Sequence, residues 1–172
     1  MIFLGDKMKK IFLLFMMLSL LVGCSMANSP TSRVEDLFGK YQRLDNDIDM
    51  GIDNVLSEQN LTTEHQDRYR KLLESQYKNL SYEIKDELID GDSATVLVEI
   101  EVVDYKKEIN DLVYDVSIYT KEQYDEEKLT RLEKAKDKVK YTLEIGLTKD
   151  DDGNWKVNAL TNEQIKKIQG MY

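Results

Sequence analysis

The chain has 172 residues, with 24 Lys and Arg against 33 Asp and Glu, one His, one Cys and one Pro. A formal charge of -9 excludes a general nucleic-acid binder, because phosphates would be repelled rather than neutralised. One cysteine excludes an internal disulfide and a multi-cysteine metal cluster. With 41% hydrophobic residues and ten Tyr, the chain can build a core, and its length fits one targeting segment plus one globular domain.

Lys7, Lys9 and Lys10 form a basic patch that runs into an apolar stretch over residues 11–22 and then Gly23-Cys24-Ser25. About twelve apolar residues are too few for a transmembrane helix, which needs about twenty. A basic start, a short apolar core and a small residue before a cut site are the parts of a secretory signal. The pattern can begin at Met1 or at Met8. Leu21-Val22-Gly23-Cys24 resembles the lipobox of bacterial lipoproteins. That resemblance implies a diacylglyceryl group on the Cys24 thiol and cleavage just before it. It also accounts for a single cysteine in an exported chain.

Residues 1–23 are then the signal, residues 24–31 the lipidated cysteine and a short tether, and residues 32–172 a single domain. Removing the signal takes away three lysines and one aspartate, so the formal charge becomes -11. An anionic bilayer does not attract such a body, and the lipid is what would hold it there.

Ser32 to Glu35 fits a capping box that opens a helix. Val34, Leu37, Phe38, Tyr41, Leu44, Ile48, Ile52 and Val55 continue it at a 3.6-residue period, with a bend expected near Gly51. A second start at Thr62 or Thr63 precedes the stripe Tyr69, Leu72, Leu73, Gln76, Tyr77 and Leu80, which predicts an antiparallel helix pair. The period then falls to two. Tyr82 and Ile84 lead through Asp90-Gly91-Asp92 to Ala94, Val96, Val98, Ile100 and Val102, a half-buried hairpin. Tyr141, Leu143, Ile145 and Leu147 pair likewise with Trp155, Val157 and Ala159 across a turn at residues 149–154. Thr161 to Gln164 caps a short final helix.

Between the hairpins, Ile109, Leu112, Val113 and Val116 have helical spacing, while Leu112, Tyr114, Val116 and Ile118 alternate like a strand. Helix is taken for residues 105–120, and residues 126–138 read as helix, with Leu129, Leu132 and Ala135 on one side. The class is α+β: N-terminal helices on a curved antiparallel sheet of about four strands, a helical insertion between two hairpins, and a short C-terminal helix. The stretch from Val34 to Leu44, Asp90 to Val96 running into Val102 to Tyr105, and Lys140 to Thr142 with Gly153 to Lys156 together resemble the nuclear transport factor 2-like (cystatin-like) domain. They resemble in particular small lipoproteins of Gram-positive bacteria that carry this domain after a lipobox. The resemblance implies a cone-shaped sheet.

His65 is the only histidine, so neither a Ser/His/Asp triad nor a multi-histidine metal site can be assembled. Its place near a helix start, beside Glu64 and Asp67, reads as solvated helix surface, and His65→Gln is expected to change little. Asp45, Asp47, Asp49 and Asp53 alternate like calcium ligands, but the sixth and twelfth loop positions hold Met50 and Leu56 instead of Gly and Glu. Asp150 to Gly153 reads as a hairpin turn. Tyrosines at 69, 77, 82, 105, 114, 119, 124, 141 and 172 are either core-edge residues or the lining of a ligand pocket. No catalytic residue, metal or cofactor is expected, and Cys24 is the one site residue. The expected protein is a non-enzymatic binding or interaction module, lipid-anchored to the outer face of the cell membrane. Its partner would be an envelope protein or a small molecule. The alternatives are a small enzyme using the cone as its pocket and a structural envelope component.

Overall fold

The computed structural model describes residues 28–172, so the signal, the lipobox and Cys24 lie outside the described residues. The first helix, α1, is Pro30–Arg43. Its capping box is built by Ser29 and Ser32, each hydroxyl accepting from the other's backbone N–H at 3.1 Å, with Pro30 in the first turn. Ser32 is thus the closing member of the box, not its opening one. The helix begins before the expected start and takes in residues 30 and 31, read from sequence as tether.

The long apolar stripe is divided between two helices. Leu44 adopts the left-handed conformation (φ 54°) and its N–H returns to the last carbonyls of α1, after which α2 runs Asn46–Glu58. The break is therefore at Leu44. Gly51, the expected place of a bend, lies inside α2 and does not interrupt it. Thr62 caps α3, Thr63–Lys78. Arg70 of α3 binds Asp49 at 2.9 Å and Asp53, which joins α2 to α3 as the antiparallel pair.

The sheet holds β1 (Ser81–Asp90), β2 (Ser93–Val103), β3 (Lys138–Lys149) and β4 (Trp155–Val157), all antiparallel and in the order β1-β2-β3-β4. Along β2 the residues Ala94, Val96, Val98, Ile100 and Val102 are all buried and face Leu147, Ile145 and Leu143 of β3. Phe38 of α1 stacks on Tyr82 of β1 at 5.0 Å, closing the layer over that face. On the other face Lys140 binds Glu99 and Lys138 binds Glu101, each at 2.9 Å, and these pairs stand in solvent. This is the α+β architecture expected: an open sheet with helices on one face.

One residue of slippage in β1 ties the layers together. The pairing shifts between Ile84 and Asp86, which sets Glu87 opposite Val96 instead of opposite Thr95 on the solvent face. Its carboxylate then accepts from the Thr31 N–H at 2.8 Å and the Thr31 hydroxyl at 2.7 Å, in the first turn of α1. A carboxylate there answers both an orphan N–H and the positive end of the helix.

The connection from β2 to β3 departs from the expected helical insertion. Helix α4 is a single turn, Tyr105–Glu108; residues 109–120 are irregular; α5 is Lys121–Lys134. Asp115 accepts from the N–H and hydroxyl of Ser117 at 2.8 and 2.6 Å, a local turn that competes with helix. Val113, Val116 and Ile118 are β-branched and favour a helix little. Thr120 and Gln123 form the box that starts α5, five residues before the expected position, and Lys138 already opens β3. The expected cap at Thr161 starts α6, Asn162–Ile168.

Ile100→Ala should cost about 2–5 kcal/mol, the usual range for truncating a buried aliphatic residue. Glu99→Ala, on the solvent face, should cost under about 1 kcal/mol. Urea melts of the two variants check the assignment of faces; equal losses would refute it.

Candidate functional site

His65 is the third residue of α3, where Thr62 caps the helix and accepts from the His65 N–H at 3.3 Å. The solvated position expected for it is wrong: only 5% of the residue is exposed. Helix α5 covers that face. His65 Nε2 lies 3.2 Å from Glu126 Oε2, and the same oxygen accepts from Arg68 at 2.6 Å. Arg68 also forks onto both oxygens of Glu133, at 2.8 and 2.9 Å. One cation of α3 is thereby shared by two carboxylates of α5, a bidentate geometry that sets orientation as well as attraction. The hydrogen bond from Arg68 is the main reason that the Glu126 and Glu133 carboxyls are held below the ordinary glutamate range. The sequence carried no sign of this, because the partner helix is sixty residues away in the chain and its facing side could not be read.

The imidazole has one satisfied nitrogen. A carboxylate only accepts, so in the neutral ring the proton sits on Nε2, facing Glu126, and Nδ1 is an acceptor. Nδ1 is buried and has no hydrogen-bond partner. Buried nitrogens of this kind are uncommon, since leaving one unanswered costs about 1–3 kcal/mol.

His65 forms part of the wall of a cleft of about 660 Å³ between the N-terminal ends of α3 and α5. Glu64, Glu122, Glu126 and Glu127 supply its acid groups, and Ile118, Tyr119 and Thr120 form the side that belongs to the irregular segment. Glu126 is taken up by Arg68 and Glu127 by Arg131 at 2.7 Å. Glu64 and Glu122 are exposed and make no side-chain hydrogen bond or ion pair among the described residues.

Next to the cleft, the irregular segment exposes its large apolar side chains. Val113 is 72% exposed, Val116 80% and Ile118 67%, with Tyr114 packed at 5.2 Å on Tyr124. Four apolar residues close in sequence and open to water form a patch of the kind that marks contact surfaces. The sequence showed both periodicities here without showing that neither would be buried.

Other candidates resolve as structure. Asp45 is held by Arg43, and Asp49 and Asp53 by Arg70. Asp150 accepts from the N–H groups of Asn154 and Asp152 and shapes the β3–β4 turn, where Gly153 has a φ of 78°. Tyr41, Tyr69, Tyr77 and Tyr105 are core residues, and burial pushes the Tyr105 hydroxyl up to about 12. Tyr114, Tyr119 and Tyr124 gather at the irregular segment instead. Among the described residues no group of three acidic, His or Cys side chains could hold a metal ion, and no helix is long and apolar enough to cross a membrane.

No protein-family model matches this chain. No curated protein matches it. Among solved structures, it resembles a crystal structure from Bacillus subtilis subsp. subtilis strain 168, described as a candidate lipoprotein (ycdA). Identity is 18%, the TM-score is 0.43, and the match covers 74% of this chain and 46% of that one, so this chain spans less than half of that protein's length.

A glutamate whose carboxyl is held low in the folded state adds stability above its unfolded value, near 4.3, and loses that contribution as pH falls through the folded value. Thermal melts between pH 3 and pH 6 should therefore show the melting temperature rising with pH. Arg68→Ala should flatten that rise, since it removes the partner common to Glu126 and Glu133. An unchanged slope would show that the fork contributes nothing to the packing of α3 on α5.

Proposed function

We propose that this chain is a lipid-anchored interaction module of the bacterial envelope, held to the outer face of the cell membrane through Cys24. It would present the apolar segment of its crossover to a partner protein. The single observation that carries the reading is where the two ends of the sheet lead. At one end, Asn28 accepts from the Trp155 N–H at 3.2 Å and donates to Gly153 and Asn154 in the β3–β4 turn. Cys24 lies four residues upstream, a reach of about 14 Å at full extension. At the other end, Val103 pairs with Lys138, and the crossover with its exposed segment leaves and re-enters the sheet there. The eleven residues of β2 put about 33 Å between these ends. The crossover is thus attached at the end away from the tether, which suits capture of a partner better than contact with the bilayer.

Val96, Val98, Ile100 and Ile145 are fully buried and fill the inner face of the sheet, so the reading puts the contact surface outside it. The nuclear transport factor 2-like relationship belongs to the same proposal, supported by the leading helices, the antiparallel sheet and the closing helix. The enzyme reading draws on one feature, the His65–Glu126 pair beside the cleft. A lone base with an orienting carboxylate can move a proton, but it requires a substrate seated against it.

Cys24→Ala should abolish lipidation and cleavage at that site, releasing the chain from lipid anchoring. Mass spectrometry of the protein recovered from membranes checks this. An unmodified Cys24 thiol in the native protein would overturn the anchoring, and with it the location.

A further inference from the structure

We propose that the cleft between the N-terminal ends of α3 and α5 takes a lysine or arginine side chain of the partner protein, whose apolar neighbours cover Val113, Val116 and Ile118. This deepens the interaction-module reading and rests on it.

Three features agree on the chemistry of the occupant. First, Glu64 and Glu122 bring two unpaired carboxylates to one cleft, whose other two glutamates are already neutralised by Arg68 and Arg131. Each stands in the first turn of its helix, where the helix favours a negative residue. That explains why each is an acid. It does not explain why both face a cleft with no cation among its lining residues.

Second, the free polar groups of that wall include the carboxylates of Glu64 and Glu122, which only accept. Ammonium and guanidinium groups carry donors and no acceptor, so they match such a wall. An anion or a neutral carbonyl compound would add further acceptors to that wall.

Third, the cleft and the apolar segment are continuous, since Ile118 both lines the cleft and is 67% exposed. A free amine would use the cleft and leave the apolar segment in water. A peptide with a basic residue set among apolar ones would use both. A charged anchor beside apolar contacts is a common composition of a binding hot spot. The formal charge of the chain, -9, steers a basic partner toward it and repels an acidic one.

The test uses the full-length chain in the envelope that contains it, with a photocrosslinking residue in place of Val116. Peptides captured on irradiation are sequenced by mass spectrometry, and a synthetic copy is titrated against the purified protein. The expected capture is a peptide from another protein that has Lys or Arg beside apolar residues. Its dissociation constant should rise about tenfold or more in the Glu64→Gln, Glu122→Gln double variant. The same rise should follow replacing the peptide's basic residue by norleucine, with the melting temperature of the protein unchanged. A captured protein peptide that has no basic residue, or binding that ignores the double variant, overturns the inference and leaves the interaction module standing. Capture of lipid, of a second copy of this chain, or of nothing overturns both.

Discussion

The last residue of β2 is where the fold is held from two sides. β1 begins at Ser81, opposite Glu101, so β2 runs two residues past its neighbour and Val103 would lose its partners there. The buried amide of Gln76 replaces the missing strand, donating to the Val103 carbonyl at 3.0 Å and accepting from its N–H at 3.1 Å. A side chain of α3 thereby continues the ladder. Gly170 presses on the same peptide from the C-terminal end. A Cβ there would lie 2.0 Å from the Val103 oxygen, at a φ of 69° that side chains rarely adopt. Its own carbonyl accepts from Lys106 in α4 at 2.8 Å. The position of α3, the start of the crossover and the end of the chain all depend on one peptide group, and the cleft inherits its geometry from α3.

Local rules were enough for the parts of the chain that answer to local forces. The period of two along β2 is visible because one face is buried throughout, and Ala94 to Val102 all lie where it puts them. The caps at Thr62 and Thr161 follow from a hydroxyl meeting orphan N–H groups three residues on. The opening of α1 was missed by a few residues because the expected box relied on a glutamate, whereas here two serines answer each other. The site was less legible. His65 is buried by a helix some sixty residues downstream, and no spacing within α3 announces that contact. The segment at residues 109–120 was misread for a different reason. Its β-branched residues favour extended backbone and its aspartates favour turns, and neither preference is overruled by packing.

Charge is distributed unevenly between surfaces of similar composition. On the outer face of the sheet several acids are matched: Glu99 meets both Lys140 and Lys85, and Glu101 meets Lys138. Such exposed pairs are worth little individually. In the cleft two glutamates are likewise paired, with Arg68 and Arg131, while Glu64 and Glu122 stand beside them without an ion pair among the described residues. An acidic protein attracts counterions everywhere, but only where the surface is both unpaired and recessed does the attraction become selective.

Asn28 has a mechanical meaning. It is tied by side-chain hydrogen bonds to Arg33, Gly153, Asn154 and Trp155, so a pull on the chain from its N-terminal side is delivered to the β3–β4 turn as well as to the start of α1. β4 meets β3 along three residue pairs only, whereas β2 and β3 share eleven. Tension entering there would strip the short outer strand first. The long central pair and the cleft beyond it would keep their shape, much as a stitched hem tears before the cloth.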